Sequence, residues 1–238
     1  MDSPTAQRII VALDFDDRRA AEALVARLGG ACGSYKVGLE LLTAAGPDLV
    51  RELVGQGHEV FLDLKLFEIP NSVTGAVRAA GALGASMVTV HAMGGTGIMA
   101  AAVDAAREFP GLRVLALTVV TSMSGSDLAD IGISTGTGAG TDEQVLRLAR
   151  LAARAGCDGV IAAPREAGAV RALLGPEHLI VTPGVSLPDG ESGGHARADT
   201  PWAAFAAGAS HVVVGRSVTR APDPVAALRR IVEGGRLP

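Results

Sequence analysis

Eight short β-rich runs separated by stretches of helical spacing constrain the fold of this 238-residue chain more than any other feature. They read "RIIVAL", "YKVG", "EVFLDL", "MVTVH", "RVLALTV", "GVIAA", "LIVT" and "HVVVG". Each is nearly continuous in apolar residues rather than alternating, as parallel strands covered on both faces require. Between them, "DDRRAAEALVARLG" and "DEQVLRLARLAARAG" show helical spacing, open on Asp and close on Gly, which are helix start and stop signals. No Pro- or Ser-rich linker divides the chain. Eight βα units without a linker predict an α/β fold, a closed (β/α)8 TIM barrel forming a single domain over residues 1–238. A doubly wound open sheet is the second reading, although such a sheet does not normally need eight parallel strands. The least regular segment, "TSMSGSDLADIGISTGTGAGT" at residues 121–141, is expected to be a lid, a binding loop or disordered.

Hydrophobic residues make up 48% of the chain but aromatic residues only 3%, so the core must be aliphatic. A net charge of −4 and so few aromatic rings supply neither the basic footprint nor the stacking platform of a nucleic-acid binder. Cys32 and Cys157 lie far apart and form no CxxC pair, which predicts a reducing, cytoplasmic setting. "MDSPTAQR" lacks the apolar stretch of an export signal, and no apolar run approaches the ~18 residues of a membrane span. No membrane partner is expected.

In barrels of this class, chemistry sits at the carboxyl ends of the strands. Asp14 follows the first run, Lys36 lies in the second, and Asp63 and Lys65 end the third. His91 closes the fourth, and the fifth ends in Thr118 and leads to Thr121 and Ser122. Pro183 to Val185 end the seventh, and Gly215 and Arg216 the eighth. Asp63 and Lys65 are two residues apart, so on a regular strand they share a face, with Lys36 on the neighbouring strand. In an alternating array each charge neutralises the next, and a lysine stays cationic and ready to donate a proton. A buried ion-pair network that only tunes packing is the alternative.

The Gly215–Arg216 turn opens a segment where backbone N–H groups and a guanidinium would grip a phosphate. An ordinary β-to-α turn with a surface arginine is the plainer reading of the same residues. There is no GxxxxGK[ST] or GxGxxG motif to suggest a nucleoside triphosphate or a dinucleotide. The five histidines have no partner at i+3 or i+4, so no metal is expected, and no GxSxG elbow suggests acyl transfer. Glu40, Glu52 and Glu59 read as solvated or interfacial charges.

"DLKLFEIPNS" resembles the D-x-K-x-x-D-I-P-N-T signature of the orotidine 5′-phosphate decarboxylases. "VALD", "YKVGLELL", "VTVHAMGG", "TSMSGSDLADIG", "GCDGVIAAPREA", "VTPGV" and "VVVGRSVTRAPDP" are similar to that family's other blocks, in the same order. The resemblance runs from Arg8 to about Ile231. It implies a cofactor-free and metal-free decarboxylation of orotidine 5′-phosphate to uridine 5′-phosphate. Asp63 would sit against the departing carboxylate and Lys65 would protonate C6, with Lys36 and Asp14 completing the array and contacting the ribose. Thr121 or Ser122 would contact the pyrimidine, Pro183 would line the site, and Gly215 and Arg216 would hold the phosphate. The second acid of the signature comes from a partner subunit, so Glu68 and Ser72 would act across a homodimer interface.

The chain departs from the signature at Glu68, where the family has Asp, and at Ser72, where it has Thr. In the seventh loop, bacterial relatives usually read P-G-I-R with D-Q further on; here those positions are Ser186, Gly194 and His195. Arg197 or His195 would have to replace the missing phosphate contacts. Two rival functions fit the same residues. One is a magnesium-dependent sugar-phosphate decarboxylase or aldolase of the same barrel lineage, and the other is a barrel that binds a nucleotide without turning it over.

Overall fold

A computed structural model describes residues 4–133, 141–187 and 199–234. All eight apolar runs are strands: β1 (Ile9–Ala12), β2 (Ser34–Gly38), β3 (Glu59–Leu66), β4 (Met87–His91), β5 (Arg113–Leu117), β6 (Gly159–Ile161), β7 (Leu179–Val185) and β8 (His211–Val214). They pair in parallel in chain order, and β1 closes the ring by pairing with β8 as well as β2. Closure, with Ile10 opposite Val213 and Ala12 opposite Lys36, removes the open-sheet alternative.

Side chains of each strand alternate between two cores. Ile10, Ala12, Phe61, Met87, Leu115, Leu117, Ile161, Val181 and Val213 fill the barrel interior. Val11, Val37, Val60, Val88, Val114, Val160 and Val212 belong to the larger outer core, shared with helix residues such as Leu24, Val77, Met99 and Leu148. Burial on both faces explains why the strands read as continuous apolar runs, and each fully buried Val or Leu contributes about 1.5–3 kcal/mol.

Both segments of helical spacing are helices, Arg18–Leu28 and Asp142–Arg154, but only the first is capped by an Asp side chain. Asp17 accepts the Ala20 N–H at the head of the helix Arg18–Leu28, and Asp223 accepts the Ala226 N–H ahead of Pro224–Val232. The expected irregular segment after β5 contains a short helix, Gly125–Asp130, held by a capping box between Ser124 and Asp127 and anchored by buried Leu128. Residues 134–140 of that segment lie outside the described residues.

At the amino ends of the strands a polar cleft of about 770 Å³ is bordered by Arg8, Ser34, Glu59 and His211. Its charges are engaged in closing the barrel. Arg8 donates to the carbonyls of Ala209 and Ser210 and lies 4.3 Å over the Phe205 ring. Ser34 donates to Glu59 at 3.0 Å. Glu52 forms a bidentate pair with Arg18 at 2.6 Å, an exposed contact between helices.

Candidate active site

The interior residues of β1 and β3 turn from apolar to charged towards the carboxyl ends of the strands, from Ala12 to Asp14 and from Phe61 to Asp63. Lys36 follows Ser34 on the inner face of β2 and is almost wholly buried. Its ammonium meets Asp14 Oδ1 at 2.8 Å and Asp63 Oδ2 at 3.8 Å. Lys65 reaches the same Asp63 Oδ2 at 2.7 Å. The order Asp14–Lys36–Asp63–Lys65 is therefore an unbroken alternation of charge. A buried carboxylate alone would be strongly destabilising; between two ammonium groups and a hydroxyl, its charge is compensated.

The Asp63–Lys65 contact is made differently from the regular-strand expectation. Pairing of β3 with β4 matches Leu62 to Val88 and then Leu66 to Val90, so residues 63–65 lie opposite the single residue Thr89. Within this bulge Lys65 takes φ 48°, the one positive φ at a non-glycine residue among those described. A left-handed lysine costs on the order of 1–3 kcal/mol and persists only where its surroundings hold it. Thr89 provides that hold: its hydroxyl accepts the Lys65 N–H at 2.8 Å and donates to Asp63 Oδ1 at 3.0 Å. The sequence reading did not single out Thr89. Its signal was present in "MVTVH", where a polar residue sits at an inward position between Met87 and His91.

The array forms one wall of a cavity of about 370 Å³ at the carboxyl ends of the strands. Val120, Thr121 and Ser122 contribute from the loop after β5, Pro183–Val185 from β7, and Gly215, Arg216 and Ser217 from the β8 turn. Leu117, Ile161 and Val213 form its apolar floor. Cationic and anionic groups thus share the cavity lining with the glycine–arginine turn, which suits a polar, phosphorylated small molecule better than an apolar one. Ser217, also missed from sequence, accepts the Leu187 N–H at 3.3 Å and so links the seventh and eighth loops. Gly38 is a third residue missed from sequence: a Cβ there would lie 3.3 Å from Lys36 Nζ.

Other candidates lie elsewhere. Thr118 is fully buried and donates to the Ile161 carbonyl at 2.8 Å, tying β5 to β6 rather than facing the cavity. His91 is half-buried; its Nδ1 accepts the Met93 N–H at 3.2 Å and its ring lies 5.7 Å from that of Phe67. Burial, with the Lys65 charge adding to it, holds the His91 imidazole below its usual pKa and therefore neutral. Glu68 and Ser72 are exposed and absent from the cavity wall of their own chain. Phe67 and Ile69, on either side of Glu68, are 61% and 62% exposed. Gly194, His195 and Arg197 lie outside the described residues, while Ser186 donates its N–H to the Asp199 carbonyl at 3.0 Å.

Cys32 and Cys157 are buried and unpaired. Burial pushes both thiols up, and Asp158 helps to raise Cys157 to about 12, so neither is a nucleophile at neutral pH. Among the described residues, no group of three or more His, Cys, Asp or Glu side chains is arranged to hold a metal ion. No helix among them is long and apolar enough to cross a membrane.

Fold and site together define a (β/α)8 barrel with a lysine–carboxylate array at the carboxyl ends of its strands. The model of the orotidine 5′-phosphate decarboxylase / HUMPS family matches residues 7–231, and the chain belongs to that family. It is 48% identical over 231 residues to an orotidine 5′-phosphate decarboxylase of Moorella thermoacetica, covering 94% of this chain and 90% of the relative. Identity is also 48% over 229 residues to the enzyme of that name from Anaeromyxobacter sp. (strain K), covering 96% and 98%. Among solved structures, orotidine 5′-phosphate decarboxylase from Lactobacillus acidophilus superposes with a TM-score of 0.85 at 35% identity, covering 97% of this chain and all of that one.

Proposed function

We propose that the chain is a carboxy-lyase that converts orotidine 5′-phosphate to uridine 5′-phosphate, the closing step of pyrimidine nucleotide synthesis, without cofactor or metal. The observation that carries this reading is the Asp14–Lys36–Asp63–Lys65 alternation at the wall of a cavity that the Gly215–Arg216 turn also lines. Family membership and full-length relatives of that name support the same substrate.

In the proposed reaction the bond between C6 and the carboxylate carbon breaks, carbon dioxide leaves, and the electron pair stays on C6. The Lys65 ammonium stabilises that developing charge and delivers its proton to C6; the neutral amine then regains a proton from water. Asp63 lies where the substrate carboxylate would approach and disfavours that charged group in the ground state more than in the transition state, where it becomes neutral carbon dioxide. Lys36 holds Asp63 and Asp14 in register and, with Asp14, reaches the ribose. Thr121 and Ser122 would contact the pyrimidine, with Pro183 lining the site. Gly215 and Arg216 would bind the phosphate, and that remote binding energy aligns the base against Lys65. Arg197, by the sequence reading, would add a phosphate contact.

Exposed Phe67 and Ile69 beside exposed Glu68 support a homodimer in which Glu68 and Ser72 enter the partner's site. Buried, unpaired Cys32 and Cys157 suit a cytoplasmic enzyme. The test is loss of orotidine 5′-phosphate absorbance with excess EDTA. Turnover supports the reading, including its independence of metal. No turnover by folded, dimeric protein overturns it, and turnover restored by magnesium overturns the metal-free mechanism.

A further inference from the structure

We infer that Thr89 is a positioning residue for the lysine–aspartate array, acting on Asp63 and Lys65 through one hydroxyl; the inference rests on the decarboxylase reading. Thr89 is the sole β4 residue opposite the three-residue bulge that contains both groups. Its side chain is wholly buried, so water has no access to replace it. A threonine hydroxyl offers one donor and two acceptor lone pairs, and this one uses both kinds at once. It donates to Asp63 Oδ1 and accepts from the backbone N–H of Lys65.

The consequence is geometric. With Oδ1 engaged by Thr89, the Asp63 carboxylate presents Oδ2 to Lys65 at 2.7 Å and to Lys36 at 3.8 Å. With its N–H engaged by the same oxygen, Lys65 is kept at φ 48° and its ammonium turns back onto Asp63. Thr89 need not touch substrate. Removal of the hydroxyl leaves the Lys65 N–H and Asp63 Oδ1 without this partner, and the carboxylate becomes free to rotate. Rotation misplaces both ammonium groups relative to C6, which lowers the rate of the chemical step more than it weakens binding of the phosphate or ribose.

The test compares the unsubstituted enzyme with Thr89→Val, which keeps the shape and deletes both hydrogen bonds, and Thr89→Ser, which keeps the hydroxyl. Steady-state kinetics on orotidine 5′-phosphate are measured beside calorimetric binding of uridine 5′-phosphate and thermal melts. The expected result is a fall in kcat of about 10- to 100-fold for Thr89→Val with KM and product affinity within about threefold of the unsubstituted enzyme. Thr89→Ser is expected to restore kcat to within about threefold. Should valine prevent folding, Thr89→Ala supplies the same comparison, because the prediction concerns loss on kcat and its rescue by serine. A Thr89→Val enzyme with unchanged kcat, or a serine variant as slow as the valine one, overturns the inference alone. Absence of turnover in the unsubstituted enzyme overturns the decarboxylase reading, and this inference with it.

Discussion

The Lys65 ammonium lies 2.7 Å from Asp63 Oδ2, although the residues are only two positions apart on one strand, because the backbone between them bulges and Lys65 is left-handed. The carboxylate therefore faces two lysines at once. Asp63→Asn keeps the shape and removes the charge that orders both ammonium groups. The expected outcome is a fall in kcat of about a hundredfold or more in steady-state kinetics, with the fold retained by thermal melt. Unchanged kcat would mean that Asp63 serves packing alone.

Lys36 is confined from the backbone side as well. A Cβ at Gly38 would lie 3.3 Å from Lys36 Nζ and 3.9 Å from Asp14 Oδ1, close enough to displace the ammonium by a few tenths of an ångström. Gly38 has φ −93°, which alanine accepts without strain, so Gly38→Ala should fold normally. Its turnover is expected to fall several-fold, because misplacement by about 1 Å costs on the order of a hundredfold and this shift is smaller. Thermal melting and kinetics on the one variant separate the two effects.

Glu68 stands away from its own cavity while Lys65 lines it, so the dimer proposal predicts complementation. Lys65→Ala and Glu68→Ala should each be nearly inactive. Mixed, unfolded together and refolded, they form hybrid dimers in which one site carries both lesions and the other none. A twofold-symmetric dimer then recovers about a quarter of the unsubstituted activity. Recovery of none would place Glu68 in the site of its own chain.

Acid should loosen the barrel before carboxylates begin to titrate. Burial lowers the pKa of His58, of His91, where Lys65 adds to the effect, and of His211, where Arg8 and Arg113 add to it and Glu59 opposes it. Each folded pKa lies below the ordinary 6.5, so between the two values the unfolded chain binds more protons than the native one. Stability is therefore complete above about pH 6.5 and falls as pH drops through that window, with His58, the least buried of the three, contributing least. Urea denaturation at pH 7.5 and 5.5 should show a lower midpoint in acid, and His91→Gln should reduce the difference. Equal midpoints would contradict the account.

The barrel was legible because burial on both faces forces continuous apolar strands, and "MVTVH" or "HVVVG" reads the same before and after folding. The charged residues were legible as types, since Lys and Asp are rare inside strands, and their grouping followed from their place at strand ends. The register shift that brings Lys65 onto Asp63 was not legible, because a bulge depends on the pairing with β4 and leaves no mark in β3 itself. For the same reason Thr89 passed as a strand residue, while Gly38 read only as the end of the run "YKVG". Thr118 had the right position for a rim residue, but its hydroxyl found the Ile161 carbonyl.

The central claim is that Lys65 carries the proton to C6 without a metal, and the most direct measurement is kcat for the unsubstituted enzyme and Lys65→Ala on orotidine 5′-phosphate in excess EDTA. The account predicts undiminished turnover by the unsubstituted enzyme in EDTA and a loss on the order of a thousandfold or more in the variant, with uridine 5′-phosphate still bound. A Lys65→Ala enzyme that retains turnover within about tenfold, or an unsubstituted enzyme silenced by EDTA, would contradict it.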